Sequence, residues 1–249
     1  MFNKIFAYLK SRQSKKRLLV SFHEIRASEN KTSKRFVLKE ADILPILNED
    51  TPNTEFDRHY VYHPAWAIRK VKEINPKRHV DISSTLYFSA MLSAFYKVNF
   101  FDYRPAKIDL SQLESGHQDL TNLSFESGSI FSLSCMHTVE HIGLGRYGDK
   151  IDYDADLKAM NELARVLASK GSLLFVVPIG GKAKIIFNAH RIYTKEMIVK
   201  QFTGQGLRLK EFTLIPENEK DGGLVINPSE ELLDKQNYAC GCFWFMKDQ

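Results

Sequence analysis

The chain has 249 residues, 43% of them hydrophobic, with a formal net charge of +5, enough apolar content for one sizeable core rather than two equal domains. No window approaches the ~18–20 consecutive apolar residues of a spanning helix. Its three cysteines, Cys135, Cys240 and Cys242, form neither an even disulfide framework nor a zinc-ligand spacing, so a reducing, cytoplasmic setting is expected.

The charge is uneven along the chain. Residues 1–78 hold 17 basic and 9 acidic residues, net +8, and the remainder nets −3. Lys4, Lys10, Arg12, Lys15, Lys16 and Arg17 precede the first acid, Glu24, and Phe2, Ile5, Phe6 and Leu9 fall at i, i+3, i+4 and i+7. That is an apolar stripe beside a basic face. It suits first a terminal helix packed on its own domain or on a partner, and as the alternative a helix lying on an anionic membrane, with peripheral contact through residues 1–17 at the inner face. No apolar core and small-residue cleavage site follow, so a cleavable signal peptide is not expected. Residues 1–53 read as a basic extension and 54–249 as the main domain.

Residues 18–53 are polar around short apolar pieces, with Thr51-Pro52-Asn53 as a turn signal. Pro64 suits the first turn of a helix reaching Ile74, which Asn75-Pro76 stops. Strands are predicted at His79–Ile82, Lys97–Phe101, near Gly116–Leu120, and at Ile130–Cys135, Leu173–Val177, Leu207–Ile215 and Tyr238–Met246. Helices are predicted over Leu86–Phe95, Asp156–Ala168 and Thr194–Gln201. Residues 216–236 read as a polar insertion, and Cys240 and Cys242 as ordinary core residues of the last strand. Alternation of helix and strand, ending in two strands with no helix between them, predicts an α/β sandwich. Its sheet is seven-stranded and mainly parallel, with the last strand entering antiparallel.

Ligands of such sheets bind beyond the carboxyl ends of the strands. Asp81 and Asp102 end the first two strands, 21 residues apart, the interval that brings a second acid beside the first and suits a carboxylate accepting ribose hydroxyls. The most decorated loop is Thr138–Asp149, which carries Glu140, His141, Arg146 and Tyr147 among Gly143, Gly145 and Gly148. Glu140 and His141 suit a base pair in which the carboxylate orients the imidazole; the bland alternative is a helix cap or a backbone hydrogen bond. His137-Thr-Val-Glu140-His141 also fits the H-x-x-E-H metallopeptidase pattern, which needs a helix to put both histidines on one face. Here the segment follows a strand directly and glycines come next, so no metal is expected. Asn188, His190, Arg191 and Tyr193 decorate the loop after the fifth strand, which opens on the same sheet edge. Asp57, His59, Tyr60, His63 and Trp66 suit either a lid or a core stripe.

This order of elements resembles the class I S-adenosylmethionine-dependent methyltransferases over residues 56–249, in an uncharacterised branch. The resemblance rests on His79-Val80-Asp81-Ile82, Phe101-Asp102-Tyr103, Asp119-Leu120, Val139-Glu140-His141, Arg165-Val166-Leu167 with Gly171, and Val176-Val177-Pro178. It implies a Rossmann-like methyltransferase sandwich with S-adenosylmethionine as cofactor. Asp81, Ser83, Ser84, Asp102, Tyr103, Asp119, Leu120 and His137 would be its binding residues, and Glu140, His141, His190 and Arg191 the catalytic ones. Three segments depart from the family pattern: Ser83-Ser84-Thr85 replaces the glycine-rich first loop, Phe131 stands where an acid is usual, and Ser172 replaces a glycine. The expected activity is methyl transfer to a small or glycan-linked, anionic acceptor. The alternative is a methyltransferase-like domain that binds or scaffolds without catalysing. A nucleic-acid substrate is disfavoured, because the positive charge lies in the extension and Met136-His137-Thr138 stands where the Asn/Asp-Pro-Pro motif would be.

Overall fold

The computed structural model describes residues 2–28, 36–47 and 49–248, with side chains from residue 13 onward. The chain divides into two compact units, Met1–Phe56 and Asp57–Gln249. In the first, α1 (Phe2–Ser28) is one helix of 27 residues, which carries the basic residues Lys10 to Arg17 within it. The side chains of Phe2, Ile5, Phe6 and Leu9 lie outside the described ones. Among the described residues, no helix is long and apolar enough to cross a membrane.

The second unit begins with α2 (Arg58–Ile74), six residues before the predicted start, because the Asp57 carboxylate caps it by accepting from the Tyr60 amide at 3.2 Å. Pro64 therefore sits inside the helix rather than in its first turn, and Asn75 in the left-handed region ends it. There follow β1 (Arg78–Ile82), α3 (Leu86–Leu92), β2 (Lys97–Asp102), β3 (Leu113–His117), β4 (Ile130–Met136), α4 (Ala155–Val166), β5 (Leu167–Ile179), β6 (Lys184–Ile186), β7 (His190–Ile192), α5 (Lys195–Thr203), β8 (Leu207–Ile215), β9 (Val225–Ile226), α6 (Glu230–Asp234) and β10 (Ala239–Lys247).

The main sheet runs β3-β2-β1-β4-β5-β10-β8-β9. The first five strands pair in parallel, and β10 enters antiparallel between β5 and β8. The expected seven strands are present. An eighth, β9, comes from the segment read as a polar insertion: it pairs with β8 through Thr213 and Leu214. A separate hairpin, β6–β7, also escaped the sequence pattern.

Alternation along β5 builds both layers of core. Leu173, Phe175 and Val177 pack with Leu163, Ile198 and Phe202 of α4 and α5, while Leu174 and Val176 pack with Trp66, Val71, Phe88 and Leu92 of α2 and α3. Helices on both faces make the parallel strands inaccessible and leave the strand ends as the open edge. Gly241 lies in the centre of β10, opposite Val177 and Leu214, where a Cβ would intrude on the Ile179 side chain. Gly241→Ala is expected to lower stability by about 1–3 kcal/mol through overpacking, measured by urea denaturation.

Candidate functional site

The strand order reverses between β1 and β4, which opens a crevice at their carboxyl ends. The two strands share only a short ladder, Val80 with Leu133 and Asp81 with Ser134. Beyond it, side chains hold them together: Ser84 Oγ accepts from the Met136 amide at 3.0 Å, and Thr138 Oγ1 donates to the Ser83 carbonyl at 2.8 Å. Ser83 and His137, one on each side of this join, both take left-handed backbone, with φ of 58° and 54°. Ser83 keeps the tight turn that a glycine would otherwise supply, and its amide donates to the Phe101 carbonyl of β2 at 2.7 Å.

Two cavities open at this edge. One, of about 440 Å³, brings together Ser83, Asp102, Tyr103, Asp119, Leu120 and His137, six of the eight residues expected to hold a cofactor. The other, of about 680 Å³, takes in Ser84, Glu140, His141 and His190 together with Tyr60 and Arg146. Ser83, His137, His141 and Tyr147 line both. In the first, Asp102 gives one carboxylate oxygen to the Arg104 amide at 2.7 Å, and Asp119 caps its own turn by accepting from the Thr121 amide and hydroxyl. A carboxylate at the β2 end, an apolar wall at Leu120 and a volume within the usual ligand range fit a nucleoside.

The second cavity is built on a glycine loop. Gly143 has φ of 77°, and a Cβ there would meet the Asp152 carbonyl. The Asp149 carboxylate accepts from the Gly143, Gly145 and Tyr147 amides; these bonds outweigh the opposing effect of partial burial and hold its pKa low. Glu140 sits in a single turn of 3₁₀ helix, Val139–His141, and is fully buried. Its Oε1 accepts from His137 Nδ1 at 2.8 Å, while Oε2 has no partner. Burial pushes Glu140 up to about 7 and His137 down to about 4, so the imidazole is neutral.

The structure revises three expectations. Glu140 orients His137 and not His141, whose Nε2 is 3.7 Å away, too long for a hydrogen bond; His141 instead donates from Nδ1 to the Ala189 carbonyl at 2.7 Å. Arg191 lines neither cavity. Its guanidinium donates to the Ile142 carbonyl at 2.6 Å and the Tyr153 carbonyl at 3.0 Å, and lies 3.6 Å from Asp156, tying the two decorated loops together from behind. Asp81 is fully buried beneath the cavities and lines neither. It accepts from Ser89 and Ser134, and Ser134 in turn lies 2.9 Å from His79. Burial raises Asp81 to about 6 against the pull of its serine partners, and burial alone lowers His79 to about 3.

Residues the sequence reading left out of the site are Tyr238, which lines the second cavity and stacks on His190 at 4.9 Å, and Cys240, 3.4 Å from His137 Nε2. The signal was present. An antiparallel strand begins at the edge where parallel strands end, so the first residues of β10 lie beside Pro178 and Ile179 at the end of β5.

Two measurements test this arrangement. Removing Arg191 takes the cation from Asp156 and the side-chain donor from the Ile142 and Tyr153 carbonyls, so Arg191→Ala is expected to lower stability by about 3–5 kcal/mol in urea denaturation. Asp81 holds its proton more tightly when folded, so its stabilising contribution is complete below a pH of about 4 and is lost as pH rises through about 6. Asp81→Asn should remove that slope, gaining about 3 kcal/mol relative to wild type between pH of about 4 and about 7 in parallel denaturation series.

Residues 97–213 match a family profile described as a Caenorhabditis protein of unknown function, DUF268. No curated protein matches the chain. Among solved structures, YcgJ from Bacillus subtilis superposes with a TM-score of 0.52 at 14% identity, covering 75% of this chain and 98% of that one. A putative sarcosine dimethylglycine methyltransferase from Galdieria sulphuraria gives 0.52 at 12% identity, covering 74% and 85%. The 1,6-didemethyltoxoflavin-N1-methyltransferase of Burkholderia thailandensis, solved with 1,6-didemethyltoxoflavin and S-adenosylhomocysteine, gives 0.53 at 10% identity, covering 75% and 79%. Sheet order, antiparallel β10 and these superpositions agree: the chain has the fold of the class I S-adenosylmethionine-dependent methyltransferases.

Proposed function

We propose that the protein transfers a methyl group from S-adenosylmethionine to a hydroxyl of a small or glycan-linked acceptor. The observation that carries this reading is the pair of cavities with a common wall. One holds the nucleoside-type groups Asp102, Asp119 and Leu120, the other holds an unpartnered buried carboxylate oxygen, and four residues line both. S-adenosylmethionine, when bound, supplies an electrophilic methyl group on a sulfonium. Ser83, Asp102, Tyr103, Asp119, Leu120 and His137 would hold it.

The chain's own part is to position the acceptor and take its proton. Tyr60, Tyr147 and Tyr238 line the acceptor cavity with aromatic rings, and Asn188 offers an amide. Glu140 Oε2 faces no competing donor, while His137 fixes Oε1, so Oε2 is the atom that accepts a hydroxyl proton as the new carbon–oxygen bond forms. With Arg191 committed to backbone carbonyls and the imidazoles lowered by burial, anionic character of the acceptor would be met by Arg146 alone among the cationic residues expected there.

Titration calorimetry with S-adenosylhomocysteine tests the cofactor half. Binding is expected, weakened about 10–100-fold in Asp102→Ala by loss of charge-assisted hydrogen bonds; absence of binding at millimolar ligand would replace catalysis with a scaffolding role. Glu140→Gln should retain that affinity and lose transfer about 100-fold or more, assayed by release of S-adenosylhomocysteine with a panel of hydroxylated acceptors.

A further inference from the structure

Beside Glu140, three metal-type ligands converge from distant parts of the chain. His59 on α2, His137 after β4 and Cys240 on β10 each place one ligand atom within 4.8 Å of the others'. All three side chains are buried. His137 Nε2 and Cys240 Sγ are 3.4 Å apart. A tetrahedral zinc with its usual bond lengths to imidazole and thiolate requires a nitrogen–sulfur edge of roughly 3.6 Å.

The tautomers suit this use. His137 donates from Nδ1 to Glu140 Oε1, which leaves Nε2 as the bare nitrogen turned to Cys240. This is the carboxylate–histidine pairing that orients a metal-bound imidazole and raises its basicity. The His59 ring is held between those of His137 and Tyr238 at 5.2 and 4.9 Å. A thiol proton on Cys240 can satisfy only one of the His59 and His137 nitrogens, whereas a cation draws both lone pairs at once.

We propose that His59, His137 and Cys240 bind a zinc ion, with Glu140 as the outer partner that fixes His137. Two imidazoles and a thiolate, with no carboxylate oxygen in the set, are the donors zinc favours over magnesium or calcium. Three protein ligands leave a fourth position for a molecule from outside the chain, as in zinc sites that act on ligands. Both His137 and Tyr238 also line the larger cavity, so the ion would stand at its wall. The proposal does not depend on S-adenosylmethionine binding.

The test uses the full-length protein without cofactor. After dialysis against chelator, titration with cobalt(II) should give one metal per chain, with a thiolate-to-cobalt charge-transfer band in the near ultraviolet and tetrahedral visible bands that zinc abolishes. Cys240→Ser should lose the charge-transfer band and Cys135→Ser should keep it. Glu140→Gln should keep the band and weaken affinity about 10–100-fold. Because the Cys240→Ser variant could misfold, the wild type carries its own control: stoichiometric zinc should raise its unfolding temperature, and excess chelator should reverse the gain. Absence of a stoichiometric band in folded wild-type protein, with an unfolding temperature indifferent to zinc, would reduce the cluster to a thiol–imidazole hydrogen bond and overturn the proposal.

Discussion

The join between the ends of β1 and β4 is the constraint on which the candidate site depends. Two backbone registers hold these strands, and beyond them the structure relies on hydroxyls: Ser84 receives the Met136 amide and Thr138 reaches back to the Ser83 carbonyl. Parallel strands diverge where a sheet reverses its order, and divergence opens a crevice only if the loops on each side are held in place. The hydroxyls of Ser84 and Thr138 are those fasteners. They account for a backbone that still turns tightly at Ser83, where φ is 58°, without the freedom of a glycine.

Beneath that join runs a line of buried polar groups, His79, Ser134, Asp81 and Ser89, each satisfied by the next. Nothing in it reaches the cavities. Its role is to fill the space under the first loop with groups of fixed direction, which a flexible apolar side chain would not do. Asp81 thus shapes the floor under the nucleoside-type cavity, and Asp102 and Asp119 face into it. On the other side Arg191 performs a similar service, holding Ile142 and Tyr153 so that the glycine loop keeps its course over Glu140.

Most of the fold was legible because strand and helix periods differ and each strand end carried a recognisable acid or turn. The strand Leu207–Ile215 was placed at its observed limits, and six cofactor-type residues fell in one cavity. What was not legible has physical causes. Arg191 adjoins His190 in sequence, but both belong to β7, where successive side chains point to opposite faces; one reaches the cavity and the other the back of the loop. Asp81 is hidden because its strand is covered on both faces. β9 and α6 escaped because the insertion is polar and short elements need tertiary partners to form. The His59, His137 and Cys240 cluster joins residues 78 and 103 positions apart, a separation at which spacing carries no signal.

The position of β10 has a consequence for how the protein is made. β5 and β8 both run in the direction of the parallel strands, yet neither touches the other, since β10 fills the gap between them. A ribosome that has released residues up to Ile215 has therefore left the facing edges of β5 and β8 with no partner, and the nine residues from Ala239 to Lys247 must arrive before either is covered. Until then the nascent chain presents Phe175, Val177, Phe212 and Leu214 beside unpaired backbone, a surface prone to pairing with other chains. Closing the sheet therefore waits on β10, and a chain truncated within that strand leaves the facing edges of β5 and β8 unpaired.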